Sequence, residues 1–176
     1  MLRRLFLLSC ILVSGCDQSF DQLFDWLSGQ DTQRVVIKET PFVLDRTGLM
    51  LSSEKPLRVV GESSSVCLVL KQGVPLLSQP EMDRRFRSVT KDAKFTGWLE
   101  TTNGERFSIN SVGQAWALHG PVTGKGEMSA CLSCRCGPTP SVGSQIAKIH
   151  VAASKTLKAL GVYWESTSAF DDADSS

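Results

Sequence analysis

From residue 35 onward the chain alternates short apolar runs with polar positions, and Gly, Pro, Ser and Asn bound the runs. That is the pattern of strands joined by turns, not of long helices. Strands are predicted over residues 35–38, 42–44, 49–51, 57–60, 66–71, 95–101, 106–110, 114–118, 146–152 and 157–164. So many short strands predict a mainly β fold, an antiparallel β-sandwich or barrel-like domain over residues 35–170. In Val66-Cys67-Leu68-Val69-Leu70 both alternate faces are apolar, which places this strand at the centre of a sheet and covers it on both sides.

The segment FTGWLETTNGERFSIN reads as a hairpin. Asn103-Gly104 suits a two-residue type I′ turn, and counting outward sets Thr102 opposite Glu105 and Trp98 opposite Ile109. Trp98, Phe107 and Ile109 would then share one core-facing side. Ser78 with Glu81 reads as a capping box opening a helical turn, with Met82 and Phe86 at helical spacing and Arg84, Arg85 and Arg87 on or near its exposed side. A weak internal repeat aligns LMLSSEKPLRVVG at 49–61 with IHVAASKTLKALG at 149–161. Each copy reads as strand, polar turn, strand, as two related hairpins in opposite halves of the fold would.

Ahead of the β pattern lies a different one. Phe20, Leu23, Phe24 and Leu27 fall on one face of a short amphipathic helix, with Ser19 and Gln22 as a capping box and Gly29 as its stop. Asp21 and Asp25 make its other face acidic. Earlier still, Arg3 and Arg4 precede an apolar run from Leu5 to Val13 that is too short to span a bilayer. It reads as a signal peptide over residues 1–15. The motif that ends it, Leu12-Val13-Ser14-Gly15-Cys16, resembles the lipobox of bacterial lipoproteins. The resemblance implies diacylglyceryl transfer to the Cys16 thiol, cleavage between Gly15 and Cys16, and acylation of the new amino group with a fatty acid such as palmitate. Asp17-Gln18 after the cysteine is similar to the retention signal of enteric lipoproteins, which implies the inner membrane, on its periplasmic side. Two or more acyl chains at about 0.8 kcal/mol per buried methylene hold a protein on a membrane unaided. Residues 16–34 would be a lipidated tether, and the acidic residues 171–176 a solvated tail.

Losing residues 1–15 leaves 161 residues, the size of one domain, with 17 basic against 18 acidic side chains. Nothing in that balance steers the chain towards nucleic acid. Of six cysteines, Cys10 leaves with the signal and Cys16 carries lipid, so Cys67, Cys131, Cys134 and Cys136 reach an oxidising compartment. Two disulfides follow. A bridge between Cys134 and Cys136 has poor geometry, which favours joining Cys67 to Cys134 or Cys136 and stapling a long loop between His119 and Ser144.

Other chemistry for these residues is weaker. Cys131 and Cys134 form a Cys-x-x-Cys pair, but among Gly and Pro instead of at the start of a helix, where redox pairs sit. Zinc would need the three clustered cysteines with Cys67, His119 or His150, without the two spaced ligand pairs of structural sites. G-x-S-x-G and H-E-x-x-H are absent, and the glycines of residues 120–126 lack the spacing and the Ser or Thr of a phosphate loop. No catalytic, metal or cofactor residues are assigned; the lipid on Cys16 is the one attached group expected. Trp98 and Trp116 read as core, and Trp26 and Trp164 as a surface for a partner. The function expected is a non-catalytic binding or assembly component of a bacterial envelope complex, with a protein partner. A periplasmic thiol-redox enzyme using Cys131 and Cys134, or a cell-wall glycan-binding module, are the alternatives.

Overall fold

The computed structural model describes residues 32–75, 78–117, 121–134 and 137–168, with the side chains of 111–117 excepted. The signal segment, Cys16, the tether helix with Trp26, His119, Cys136 and the acidic tail lie outside the described residues, as does the side chain of Trp116. The described elements are β1 (Thr32–Lys38), β2 (Phe42–Leu44), β3 (Leu49–Leu51), β4 (Leu57–Arg58), β5 (Ser63–Gln72), α1 (Gln79–Thr90), β6 (Phe95–Thr101), β7 (Arg106–Ala117), β8 (Glu127–Ser133), β9 (Gln145–Ala153), β10 (Leu157–Ala159) and β11 (Gly161–Thr167). The main sheet is antiparallel and runs β1-β11-β5-β8-β7-β6-β9-β3, with β4 also paired to β9. β2 and β10 form a separate ribbon.

This sheet curls into a nearly closed barrel, and side chains bridge its seam. Arg58 N–H donates to Gln33 Oε1 at 2.6 Å, and Gln33 Nε2 donates to Pro56 O at 3.3 Å. The Gln33 carboxamide thereby stands in for a peptide group facing β4. From β11, the Trp164 indole N–H donates to Arg58 O at 3.0 Å, and Ser166 Oγ accepts from Val60 N–H at 3.0 Å. The ribbon ties in elsewhere: Leu160 N–H donates to Val69 O at 2.7 Å and Ala153 N–H to Asp45 O at 2.9 Å, so it links β5 to β9. An exposed sheet edge is a template for unwanted pairing, and these contacts cover much of it.

β5 is buried on both faces, as its sequence predicts. It lies between β11 and β8. Val66, Leu68 and Leu70 enter the main core, while Cys67 and Val69 enter a smaller outer cluster with Tyr163 and Val122. Full burial of one such aliphatic side chain is worth roughly 1.5–3 kcal/mol. α1 opens on the expected capping box, with Ser78 N–H and Oγ–H both donating to Glu81 Oε2, at 3.2 and 2.6 Å. It is longer than the predicted turn and ends where Lys91 enters the left-handed region at φ 51°. Phe86 and Val89 turn inward onto the main core.

Several expectations need correction. The β6–β7 hairpin has a three-residue loop: Thr101 N–H donates to Glu105 O and Gly104 N–H to Thr101 O, both at 3.0 Å, with Gly104 at φ +88°. Trp98 therefore faces Ser108 instead of Ile109. A slip of one residue exchanges the faces of a strand, so Leu99 enters the core and Trp98 turns outward.

The presumed long loop from 119 to 144 contains β8. Its sequence EMSACLS hides a strand because the outward positions Glu127, Ser129 and Cys131 are polar or small, yet Glu127 and Ser129 are buried. Thr123 N–H donates to Glu127 Oε1, pinning the preceding loop over this face. The disulfide is consequently a cross-strand one, Cys67–Cys131, and not a loop staple to Cys134 or Cys136. Cys134 is a free, buried thiol.

The two copies of the repeat are not separate hairpins. β3 and β9 pair directly, so that Met50 sits opposite His150, its own counterpart. β4 continues along β9 while β10 leaves for the ribbon. Trp164 is not on a surface: it is 0% exposed, since alternate residues of β11 fill the main core with Val162 and Trp164 and the outer cluster with Tyr163.

The cross-strand disulfide closes a loop across a sequence separation of 64. Replacing Cys67 and Cys131 together by Ala is expected to lower unfolding stability by roughly 2–4 kcal/mol in a urea titration. Peptide mapping without reduction should recover the Cys67–Cys131 linkage; Cys67 joined to Cys134 would contradict the strand register.

Candidate functional site

With Trp98 turned outward, the outer face of β7-β6-β9-β3 carries a row of flat and long side chains. β6 lies between β7 and β9, so Trp98 receives a neighbour from each side. The imidazole of His150, directly opposite on β9, stacks on the indole with ring centroids 5.6 Å apart and planes 12° apart. From β7, Arg106 places Cζ 4.4 Å from the indole centroid. Beyond His150, the row continues to Met50, which is 50% exposed. Next to it, Glu100 accepts from Arg106 Nε at 2.6 Å and from Lys148 Nζ at 2.8 Å. These hydrogen bonds, from Lys148 first and Arg106 second, hold the Glu100 carboxyl below the ordinary glutamate range. Cross-strand aromatic and cation–π pairs are each worth about 0.5–1.5 kcal/mol, so the row first stiffens the sheet.

This arrangement also limits what the face can bind. Stacking on a sugar needs a free ring face, and the indole of Trp98 has one neighbour on each side. Trp164 is buried. Of the two tryptophans whose side chains are described, only Trp98 reaches the outer face, and its ring already packs against His150 and Arg106. The Trp98 row can instead contact a partner through its edges, its guanidinium and its ammonium group. Sequence reasoning missed it because the hairpin was read with a two-residue loop. The signal was the alternation of Trp98 with Glu100, and of Arg106 with Ser108.

A second feature is a cleft of about 380 Å³ where β5 begins and β8 ends, lined by Gly61, Ser63, Ser64, Ser133, Cys134 and Thr139 among others. Gly61 is required here: a Cβ would come within 2.3 Å of Thr167 O and 2.2 Å of Ser168 Cα. Cys134 borders the cleft, but burial pushes its thiol above the usual range. Thiol exchange needs an accessible thiolate with a lowered pKa, which is the reverse. Cys131, its proposed redox partner, is bonded to Cys67.

The remaining candidates are scattered. Among the described residues, no three metal-ligating side chains converge, and His150 is engaged with Trp98 while its Nε2 lies 3.3 Å from Thr47 O. In comparisons with known proteins, no family model, curated protein or solved structure matches this chain.

Ionised Glu100 stabilises the row above the unfolded glutamate pKa, and that support is lost as pH falls through its lowered folded value. An NMR titration should therefore place the Glu100 midpoint below that of an ordinary glutamate, and Lys148→Met should move it upward. A midpoint unchanged by Lys148→Met would mean that the Lys148–Glu100 ion pair does not form.

Proposed function

We propose that this chain is a lipid-anchored lipoprotein facing the periplasm, held by diacylglyceryl and acyl groups on Cys16, and that it works as a non-catalytic binding or assembly component of a bacterial envelope complex. The inner membrane is its proposed location, on the strength of Asp17-Gln18 after the lipobox-like motif.

One positional observation carries the reading. Thr32, where the barrel begins, pairs with Thr167 near its end, so the first and last strands of the barrel end at one pole. α1 lies at the opposite end of the barrel, beyond the far end of β5. The chemistry of the body supports binding over catalysis: its described free thiol is buried and raised in pKa, and its exposed row of Trp98, Arg106, His150 and Lys148 is already organised before any ligand arrives. Preorganised side chains lose less freedom on association and so bind more tightly.

In-cell crosslinking of a C-terminally tagged form, followed by detergent extraction and mass spectrometry, should recover one dominant envelope protein. Cys16→Ala should leave an unlipidated, unprocessed precursor that no longer captures it. Recovery of the tagged protein alone would overturn the assembly reading.

A further inference from the structure

A groove lies between α1 and the far end of β5, at the pole away from Thr32 and Thr167. Its lining is Lys71 from the strand and Glu81, Arg84, Arg85, Ser88 and Val89 from the helix, around a volume of about 520 Å³. Three of these six side chains are cationic. They converge for a local reason: Phe86 and Val89 face the main core, so the intervening turns present Arg84, Arg85 and Ser88 beside the strand end, where Lys71 follows an irregularity in the β5–β8 register.

The lining carries three cations against one carboxylate, Glu81, which interacts with Arg84, so its net charge stays positive. Among the described residues, neither Lys71 nor Arg85 has an ion-pair partner. Arg84 Nε makes only a long contact, 3.4 Å, to Pro80 O. The one carboxylate of the lining, Glu81, accepts the Ser78 backbone N–H and hydroxyl in the capping box and is committed to the start of the helix. Arg87 and Lys91 add to the basic character of the same element.

We infer that this groove is the docking point for an acidic segment of a partner protein, with Arg84, Arg85 and Lys71 receiving its carboxylates and Ser88 donating a hydrogen bond. The inference rests on the binding role proposed above and names the chemistry of the partner. Two guanidinium groups and an ammonium group match carboxylates in forked and single contacts. The apolar wall of Val89 suits the aliphatic part of a side chain laid along the groove, between its cationic groups.

The test uses the full-length mature protein in detergent micelles and a fluorescein-labelled hexaglutamate peptide, read by anisotropy at two salt concentrations. Arg84→Glu with Arg85→Glu should weaken binding by on the order of tenfold or more, while the charge-matched pair Lys55→Glu with Arg58→Glu leaves it nearly unchanged. Raising the salt should weaken the wild-type interaction, as screening of exposed charges requires. Equal losses from both variant pairs, or no binding, would overturn the inference. So would groove-dependent binding to phosphatidylglycerol vesicles that exceeds binding to the peptide, because the occupant would then be a lipid surface. If the peptide does not bind while crosslinking in cells still captures one partner, this inference fails and the assembly reading stands.

Discussion

The architecture depends on one strand that water reaches from neither side. Val66 to Leu70 of β5 present apolar side chains alternately to two different cores. Such a strand must be paired on both edges and covered on both faces, or its backbone groups and its side chains are left uncompensated. β11 and β8 supply the edges. The barrel interior covers one face, and Tyr163, Val122 and the loop held by Glu127 cover the other. The disulfide joins β5 to β8 within that outer layer, so the covalent link reinforces the same strand that hydrophobic burial already selects.

Closure follows from this arrangement. Once β5 is central, the chain on either side must curl around its main-core face, and the two ends of the sheet approach each other. They meet through Gln33, Trp164 and Ser166 instead of a continuous ladder. Because the start of β1 pairs with the end of β11, the barrel begins and ends at one pole and leaves α1 at the far end of β5. For a protein proposed to hang from a membrane by its first residues, that is the useful polarity. The chemistry is distributed accordingly: the pole of Thr32 and Thr167 carries a hydroxyl-lined cleft with a buried thiol, and the far pole carries the cations Lys71, Arg84 and Arg85.

Much of this was legible in the residues, and the misses share a cause. Period-two alternation located most strands, and the doubly apolar run of β5 announced its position. The capping box of α1 was read correctly, though its length was not, because only Phe86 and Val89 carry its inward signal. β8 escaped because alternation detects apolar against polar, whereas Glu127 and Ser129 are polar and buried. Trp98 and Trp164 were placed on the wrong sides for related reasons. Asn103-Gly104 fits both a two-residue turn and a loop ending in a glycine bulge, and only long-range pairing to β9 decides between them. Trp164 sits in a run, Val162 to Trp164, that is buried on both faces, so the surface expected for it does not exist. The Cys67–Cys131 bond required knowing that β8 existed. The groove on α1 was visible only as a row of arginines, since Lys71 reaches it from a strand eight residues before the helix begins.

The most direct test of the account is where the partner touches the body. A photoreactive residue in place of Arg87, on the helix that walls the groove, can be compared in living cells with one in place of Glu62, in the lining of the cleft at the opposite pole. The account predicts that position 87 yields one discrete adduct with an envelope protein and that position 62 yields none. An adduct formed from position 62 and not from 87 would contradict it, since the working surface would then lie at the pole of Thr32 and Thr167 instead of at the groove.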